Sequence, residues 1–257
     1  MATISFTPKG DSQAAPAAPT KTAEVLTDVK EVSLAIPANA EVAVVAAPIT
    51  AVGIEGEVTA DDIRPPRINL VQKSGNLADE FSPGSFVFEK SIVLAKPGDE
   101  INVTVLRLRK YYQEKIEFGS SNEMPPRANT AEEVRALGGS LIYGHDRYFQ
   151  EVCDVMLAIE APENLNEEQS QFFAYNVGGK NYTLAMYTVA ASAYTSLAKR
   201  LFTDAALLLR AGLYTGSYKI HSELRKNGTN SWHVPVASFS GKHDEPTAES
   251  FKKLAGI

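Results

Sequence analysis

The sequence predicts a mainly β protein of the α+β type, in which an OB-like small β-barrel with one long helix follows a disordered N-terminal arm. Short apolar, β-branched segments separated by glycine and proline turns predict the strands. One long stretch, residues 192–210, has apolar residues at spacings of three and four, which is typical of a helix. The 257-residue chain is 44% hydrophobic, enough for one substantial core or for one domain plus a tail.

Residues 1–62 are predicted to be a disordered acidic arm, rich in alanine and proline. Their only aromatic residue is Phe6, and Ala14–Thr20 is of low complexity. Such a segment cannot bury enough apolar surface to offset its ordering entropy. The arm holds three lysines and nine acidic residues, so it carries the whole net charge of −6 and leaves residues 63–257 neutral. The acidic pI therefore does not argue against nucleic-acid binding by the domain.

Residues 63–257 are predicted to form a single β-rich nucleic-acid-binding domain. Pro65 and Pro66 favour an extended backbone before the first strand. Lys96–Asp99 contains a proline followed by a glycine, which favours a turn. In the strand after this turn the apolar alternation shifts between Val105 and Leu106, which predicts a bulge, a bend or burial on both sides. The predicted strands of this part cover residues 67–72, 85–94 and 101–113.

The second part of the domain is predicted to contain further strands and helices. Gly178–Gly179 is a strong hairpin signal, and a two-residue loop would place Tyr175 opposite Tyr182 and Phe173 opposite Leu184. Thr130 with Glu133 fits a capping box, and Ser192 is the predicted N-cap of the long helix. The predicted helices cover 130–137, 192–210 and 247–255, and the predicted strands cover 147–159, 172–177, 180–189 and a hairpin at 213–239 that turns within 226–230.

The register of the last hairpin decides the environment of Trp232. A two-residue turn at Asn227–Gly228 would place Trp232 opposite Glu223, on the polar face. A three-residue loop would place Trp232 opposite Leu224 and match apolar with apolar residues, so this register is preferred. It favours a core position for Trp232 over base stacking.

Motifs of known catalytic chemistry are absent from the sequence, and we expect no enzyme activity, cofactor or structural metal. The chain contains no phosphate loop, no His-Glu-x-x-His and no Gly-x-Ser-x-Gly. His221, His233 and Glu223 could share a polar face, but such neighbours are ordinary on a solvated strand. The single cysteine, Cys153, is predicted to be a small buried hydrophobe. With no signal peptide and no membrane span, we expect a cytoplasmic protein.

The run from Arg107 to Tyr112 is the most informative segment of the chain. Cations can hold phosphates and aromatic rings can stack on bases. A site that binds single-stranded nucleic acid without sequence preference requires both kinds of residue. The same residue types also arise at ordinary solvated strand ends. The candidate nucleic-acid-binding residues are Arg107, Arg109, Lys110, Tyr111 and Tyr112 of this run, Lys199 and Arg200 of the long helix, and Lys219, Arg225, Lys226 and Trp232 of the last hairpin.

Several short segments resemble a group of bacteriophage proteins over roughly residues 63–240. They are the run 64–72 (RPPRINLVQ), the run 82–87 (SPGSFV), the run 197–201 (LAKRL), and the hairpin with Tyr218, Asn227–Gly228 and Trp232. The resemblance implies an OB-fold single-stranded DNA-binding protein that assists phage replication or recombination. Such proteins typically end in an acidic, partner-recruiting tail. In this chain the acidic segment is residues 1–62 instead.

The arm is therefore the predicted site for recruiting replication or recombination proteins, and an oligomer is compatible with the sequence. Two other classes remain open. One is a virion or assembly protein whose arm mediates subunit contacts, and the other is a phage protein that binds a host enzyme.

Overall fold

The structure is a computed structural model that describes residues 64–116 and 124–256, and it is mainly β. A small antiparallel sheet has the strand order β1-β2-β3, and a seven-stranded sheet has the order β10-β9-β4-β6-β8-β7, with β5 beside β4. The predicted arm, residues 1–62, lies outside the described residues. The strands are β1 (Ile68–Leu70), β2 (Phe86–Phe88), β3 (Ile92–Ala95), β4 (Glu100–Glu114), β5 (Arg127–Ala128), β6 (Phe149–Glu160), β7 (Tyr175–Val177), β8 (Lys180–Ala190), β9 (Gly216–Asn227) and β10 (Asn230–Lys242).

Helical segments lie between the strands along the chain and after the last strand. A continuous helix at 191–207 consists of α3 (Ala191–Ala193), a π-helical segment (Tyr194–Ala198) and α4 (Lys199–Leu207). The shorter helices are α1 (Ala131–Ala136), α2 (Glu167–Ser170) and α5 (Glu245–Leu254), with a 3₁₀ turn at Leu213–Thr215. Within the described residues, no helix has both the length and the apolar composition needed to cross a membrane.

The larger sheet is open in the described part of the chain, because its outer strands β7 and β10 do not pair with each other. The segment 66–72 lies between β8 and β10. The amide of Met186 donates to the carbonyl of Pro66 at 2.7 Å, and the side chain of Gln72 bonds both the amide and the carbonyl of His233, at 2.9 and 3.0 Å. The mainly β prediction is confirmed, whereas strand pairing does not show a closed OB-like barrel.

The predicted irregularity in the long strand is confirmed. The pairing of β4 with β6 shifts between Val105 and Arg107. Val105 lies in the main core between the two sheets and the helix, whereas Leu106 packs with Phe251 in a second cluster under α5. Val105 and Leu106 point to opposite faces as any strand neighbours do, and the bulge then shifts the alternation, so that Leu108 packs against the same core as Val105.

The predicted strand 85–94 is wrong, because the chain turns back within it. It forms β2 and β3, joined by a tight turn in which Glu89 and Lys90 have positive φ angles of 46° and 61°. The amide of Ser91 donates to the carbonyl of Phe88 at 3.0 Å and closes the turn. Neither glycine nor proline marks this turn, so the sequence pattern continued through it.

The long helix is confirmed, but it begins one residue before the predicted N-cap. Ala190 is the N-cap and makes no side-chain bond, and the hydroxyl of Ser192 instead accepts a hydrogen bond from Trp232 Nε1 at 2.9 Å. The helix ends at Leu207. At the first helix, the capping prediction is half confirmed: Glu133 donates its amide to Thr130 Oγ1 at 3.1 Å, but its carboxylate accepts from the amide of Asn129.

The Gly178–Gly179 turn is confirmed and places Tyr175 opposite Tyr182. The predicted pairing of Phe173 with Leu184 is wrong, because β7 begins only at Tyr175. Phe173 is instead buried beside Phe88, with the ring centroids 6.1 Å apart.

The preferred register of the last hairpin is also wrong. Asn227 pairs with Asn230, so the loop consists of Gly228 and Thr229, and Trp232 lies opposite Arg225. The turn begins one residue later than either predicted arrangement. His233 is consequently opposite Leu224. Because Glu223 is the neighbour of Leu224 along the strand, His233 and Glu223 lie on different faces.

Candidate nucleic-acid interface

Strand alternation divides the run from Arg107 to Tyr112 between the two faces of the sheet. Arg107, Arg109 and Tyr111 share one face of β4, which we call the arginine face. Lys110 and Tyr112 point to the other face, which we call the lysine face. A single ligand-binding site therefore cannot use the whole run, although sequence reasoning treated it as one cluster.

A cleft of ≈270 Å³ opens on the lysine face. We call it the tyrosine cleft, because Tyr112 of β4, Tyr148 before β6 and Tyr194 of the long helix line it. Its other lining residues are Leu141, Phe149, Gln150, Glu151, Ala191 and Thr195. Four separate chain segments thus meet around one aromatic cleft, and of its tyrosines only Tyr112 was a predicted site residue.

Two lysines stand over the aromatic rings of the tyrosine cleft. Lys110 Nζ lies 5.2 Å from the ring centroid of Tyr112 and 5.9 Å from that of Tyr194, and Lys199 Nζ lies 5.9 Å from Tyr194. These distances are within the range of cation–π attraction. Both lysines are exposed, whereas Tyr194 is 4% exposed and forms the floor beneath them.

The carboxylate of Glu151 ties the two sides of the cleft together. Its Oε1 atom accepts from Lys110 Nζ at 2.6 Å and from the hydroxyl of Tyr194 at 3.5 Å. Partial burial lowers the pKa of Lys110, but the hydrogen bond to Glu151 and the charge interactions with Tyr194 and Glu151 together outweigh it, and the net pKa is raised. Lys110 therefore keeps its positive charge at neutral pH.

The backbone of the helix that lines the cleft is irregular. Ala191 has a φ angle of 50°, although it is not glycine. Tyr194 opens the π-helical segment Tyr194–Ala198. Strained residues and π-helical turns concentrate at functional sites, and both occur here in residues that line the cleft.

A further aromatic residue and a further lysine extend the surface beyond the cleft. Tyr143 is 77% exposed, and its ring meets that of Tyr148 edge-on with 5.5 Å between centroids. Lys115 Nζ lies 5.6 Å from the ring of Tyr143. Sequence reasoning missed Tyr143, Tyr148 and Lys115. The two tyrosines lie in the loop before β6, and the pairing of β4 with β6 brings this loop to the end of β4, where Lys115 follows.

On the arginine face, Arg107 and Arg109 are exposed. Arg107 donates from Nη2 to the carbonyl of Ala255 at 2.8 Å, at the C-terminal end of α5. Tyr111 is only 4% exposed, its hydroxyl donates to Asp154 at 3.3 Å, and the guanidinium of Arg127 lies 5.0 Å from its ring centroid. Burial raises the pKa of Tyr111. This burial withdraws Tyr111 from the predicted base-stacking role.

Two other predicted cations are engaged in ion pairs. Arg200 is exposed as expected, but its Nε donates to the buried carboxylate of Asp204 at 2.9 Å. Lys219 Nζ lies 2.9 Å from Glu100 on the neighbouring strand. Both contacts reduce the capacity of these cations to hold phosphates.

The remaining predicted residues cluster at the tip of the last hairpin. Arg225 is opposite Trp232 and Lys226 is opposite Ser231, whose hydroxyl accepts from Lys73 at 2.8 Å. Trp232 is half-buried rather than in the core. Its hydrogen bond to Ser192 holds the tip against the start of the long helix, beside the tyrosine cleft. Lys73 is a cation of this cluster that sequence reasoning missed.

Known proteins offer no match to this chain. Comparisons with protein families, with curated proteins and with solved structures each find none. The function is therefore inferred from the geometry of the site and from the sequence.

Metal-binding geometry is not found in the described parts of the chain, where no three His, Cys, Asp or Glu side chains could together hold an ion. The grouping of His221, His233 and Glu223 is wrong, because His233 points to the other face. Cys153 is fully buried, and burial raises the pKa of its thiol to about 12. The prediction that Cys153 is a buried hydrophobe is confirmed.

Proposed function

We propose that this protein binds single-stranded DNA with little sequence preference, and that the tyrosine cleft is the central part of the site. The observation that carries the proposal is the pair of lysines, Lys110 and Lys199, standing over a cleft lined by tyrosines. Unpaired bases stack on the rings of Tyr112 and Tyr148, above the buried ring of Tyr194, and Lys199 holds a phosphate. Lys110 contributes less, because it is already paired with Glu151. At the tip of the last hairpin, Arg225 shares a face with Trp232 and extends the site along the start of the long helix, whereas Lys226 points to the other face, where Lys73 bonds Ser231.

Single strands fit this surface better than duplexes do. In a duplex the faces of the bases are covered by their neighbours, so tyrosine rings have nothing to stack on. Stacking is also tolerant of sequence, because every base presents a π-face.

The proposal includes an OB-like barrel, a familiar scaffold for single-strand binding. The bulged strand β4 and the segment 66–72 between β8 and β10 support it, because both favour a sheet that curls towards closure. The proposal includes a role in DNA replication or recombination in the cytoplasm of the host cell, which the resemblance to phage proteins supports. The acidic arm would recruit the replication or recombination partner.

The test is fluorescence anisotropy with labelled oligonucleotides, single against double stranded, at two salt concentrations. We expect Tyr112→Ala and Tyr148→Ala each to weaken single-strand binding by about 1–3 kcal/mol. Lys199→Gln should lower the salt slope by about 0.7, and Lys110→Gln should lower it by less, because Lys110 is already paired with Glu151.

Matched controls exist on other surfaces of the domain. Tyr175→Ala removes a tyrosine of β7 that is 37% exposed, and Lys90→Gln/Lys96→Gln removes two exposed charges from loops. These variants should bind like the parent. A parent protein that shows no binding of single strands at low salt would reject the proposed function. Cleft variants that bind single strands as well as the parent does would show that the cleft is not the binding site.

A further inference from the structure

The arginine face is a second, separate cationic surface on the same strand as the tyrosine cleft. Across the sheet, Arg107 aligns with Met156 and Met186, and Arg109 aligns with Asp154 and Thr188. Both arginines and Thr188 are exposed. The cluster under α5 reaches Met156, beside Arg107, and Arg107 bonds the end of that helix. Both arginines nevertheless remain exposed, Arg107 at the edge of the part that α5 covers and Arg109 one step further along β4.

Three guanidinium groups follow one another along this face. Arg107 and Arg109 are two strand residues apart, or about 6.7 Å. Arg127 supplies the third group at the next step, because it lies over the ring of Tyr111. The row follows the direction of β4, so an extended nucleic-acid strand lying along β4 would present its phosphates to all three groups.

The charge of this row is little compensated. Asp154 is the acid that lies among the arginines, and its carboxylate already accepts from Thr188 Oγ1 at 2.6 Å and from the hydroxyl of Tyr111 at 3.3 Å. Within the described residues, Arg107, Arg109 and Arg127 form no salt bridge with a carboxylate. Arg107 donates one N–H group to the carbonyl of Ala255, and the other N–H groups of the row are placed to bind phosphate oxygens, which guanidinium groups bind well.

We infer that the arginine face binds a second single strand by its phosphates while the tyrosine cleft holds the first by its bases. This inference rests on the proposed function of the cleft. Tyr111 is buried, so the arginine face offers no ring for stacking. A strand held there by its phosphates keeps its bases exposed and able to pair. One protein molecule thus holds two strands, one of which presents its bases, and it accelerates the annealing of complementary strands.

The test uses the full chain and two oligonucleotides. A biotinylated oligonucleotide saturated with protein is immobilised, and capture of a second, non-complementary fluorescent oligonucleotide is measured. Annealing of complementary labelled strands is followed in parallel by fluorescence quenching. The variants are Arg107→Gln/Arg109→Gln and Arg109→Glu, and the control for two lost charges is Lys90→Gln/Lys96→Gln. Arg109→Glu is included because Arg107 also holds the end of α5.

We expect both arginine variants to bind the first strand like the parent, but to lose capture of the second strand and to anneal at the rate without protein. The control variant should retain both activities. Failure of the parent to capture a second strand would overturn the inference while leaving single-strand binding intact. Equal weakening of first-strand and second-strand binding would also overturn it, since the arginines would then belong to one continuous site. A parent that binds no single strand would instead refute the proposed function.

Discussion

A β-strand sends successive side chains to opposite faces, and this separates Arg109 from Lys110. Neighbours in the sequence therefore serve different surfaces, whereas Lys110 shares its surface with Tyr194 and Lys199, which are remote along the chain. The ion-pair partner of each cation also decides whether that cation can bind a phosphate. Arg200 has the expected exposure, but its ion pair with Asp204 gives it a structural role.

We expect Asp204→Asn to lower the free energy of unfolding by about 1–3 kcal/mol, because it removes a charged, buried hydrogen-bond acceptor from Arg200. Asp204 is 2% exposed. The exposed pair of Lys252 with Glu249, at 3.2 Å, provides the comparison. Glu249→Gln should change stability by less than about 0.5 kcal/mol. Urea denaturation measures both, and equal stability of the Asp204→Asn variant and the parent would contradict the buried role.

At the scale of elements, the small sheet is joined to the last hairpin by close backbone packing. The hydroxyl of Ser222 donates to the carbonyl of Gly84 at 2.7 Å. A Cβ atom at Gly84 would lie 2.7 Å from the ring of His233. Gln72 bonds the backbone of His233 as well. These contacts hold the segment before β2 against β10, next to the basic tip of the hairpin.

Gly84→Ala should therefore destabilise the protein more than Gly98→Ala does. Both glycines have φ of +94°, but nothing lies within 4 Å of a Cβ at Gly98. The shared backbone strain cancels in the comparison, and the clash at Gly84 should add about 1–3 kcal/mol, the usual cost of overpacking. Urea denaturation of the two variants and the parent gives the difference directly. Equal destabilisation would mean that His233 moves aside freely.

At the scale of the whole molecule, charge is divided between the arm and the domain. Residues 1–62 carry the net charge of −6, and residues 63–257 are neutral but present cations around the tyrosine cleft and on the arginine face. A tethered acidic segment can reach an effective concentration in the millimolar range, as linked binding modules do. The arm can thus compete with nucleic acid for these surfaces.

We expect deletion of residues 1–62 to leave the domain folded and to tighten binding of single strands. The effect should be largest at low salt, where electrostatic contacts of the arm are least screened. Anisotropy titrations of full-length and truncated protein at low and high salt measure it, and circular dichroism checks the fold. Equal affinity at both salt concentrations would mean that the arm does not compete.

The sequence by itself determined those features that depend on neighbouring residues. The mainly β class, the bulge after Val105, the Gly178–Gly179 turn and the long helix each follow from local periodicity or turn chemistry. Tight turns without glycine or proline, such as that at Glu89 and Lys90, leave no such signal. The register of the last hairpin was also predicted wrongly. Matching apolar with apolar residues favoured Leu224 opposite Trp232, but the turn begins at Gly228 and places Arg225 opposite Trp232.

Only the tertiary structure decided which residues form the candidate site. The tyrosine cleft joins Tyr112, Tyr148 and Tyr194, and no local pattern links these residues. They meet because β4 pairs with β6 and the long helix starts directly after β8. Pairing between distant strands and packing of a helix on a sheet depend on the whole chain, so the composition of the site was predictable in kind, as tyrosines and lysines, but not in its members.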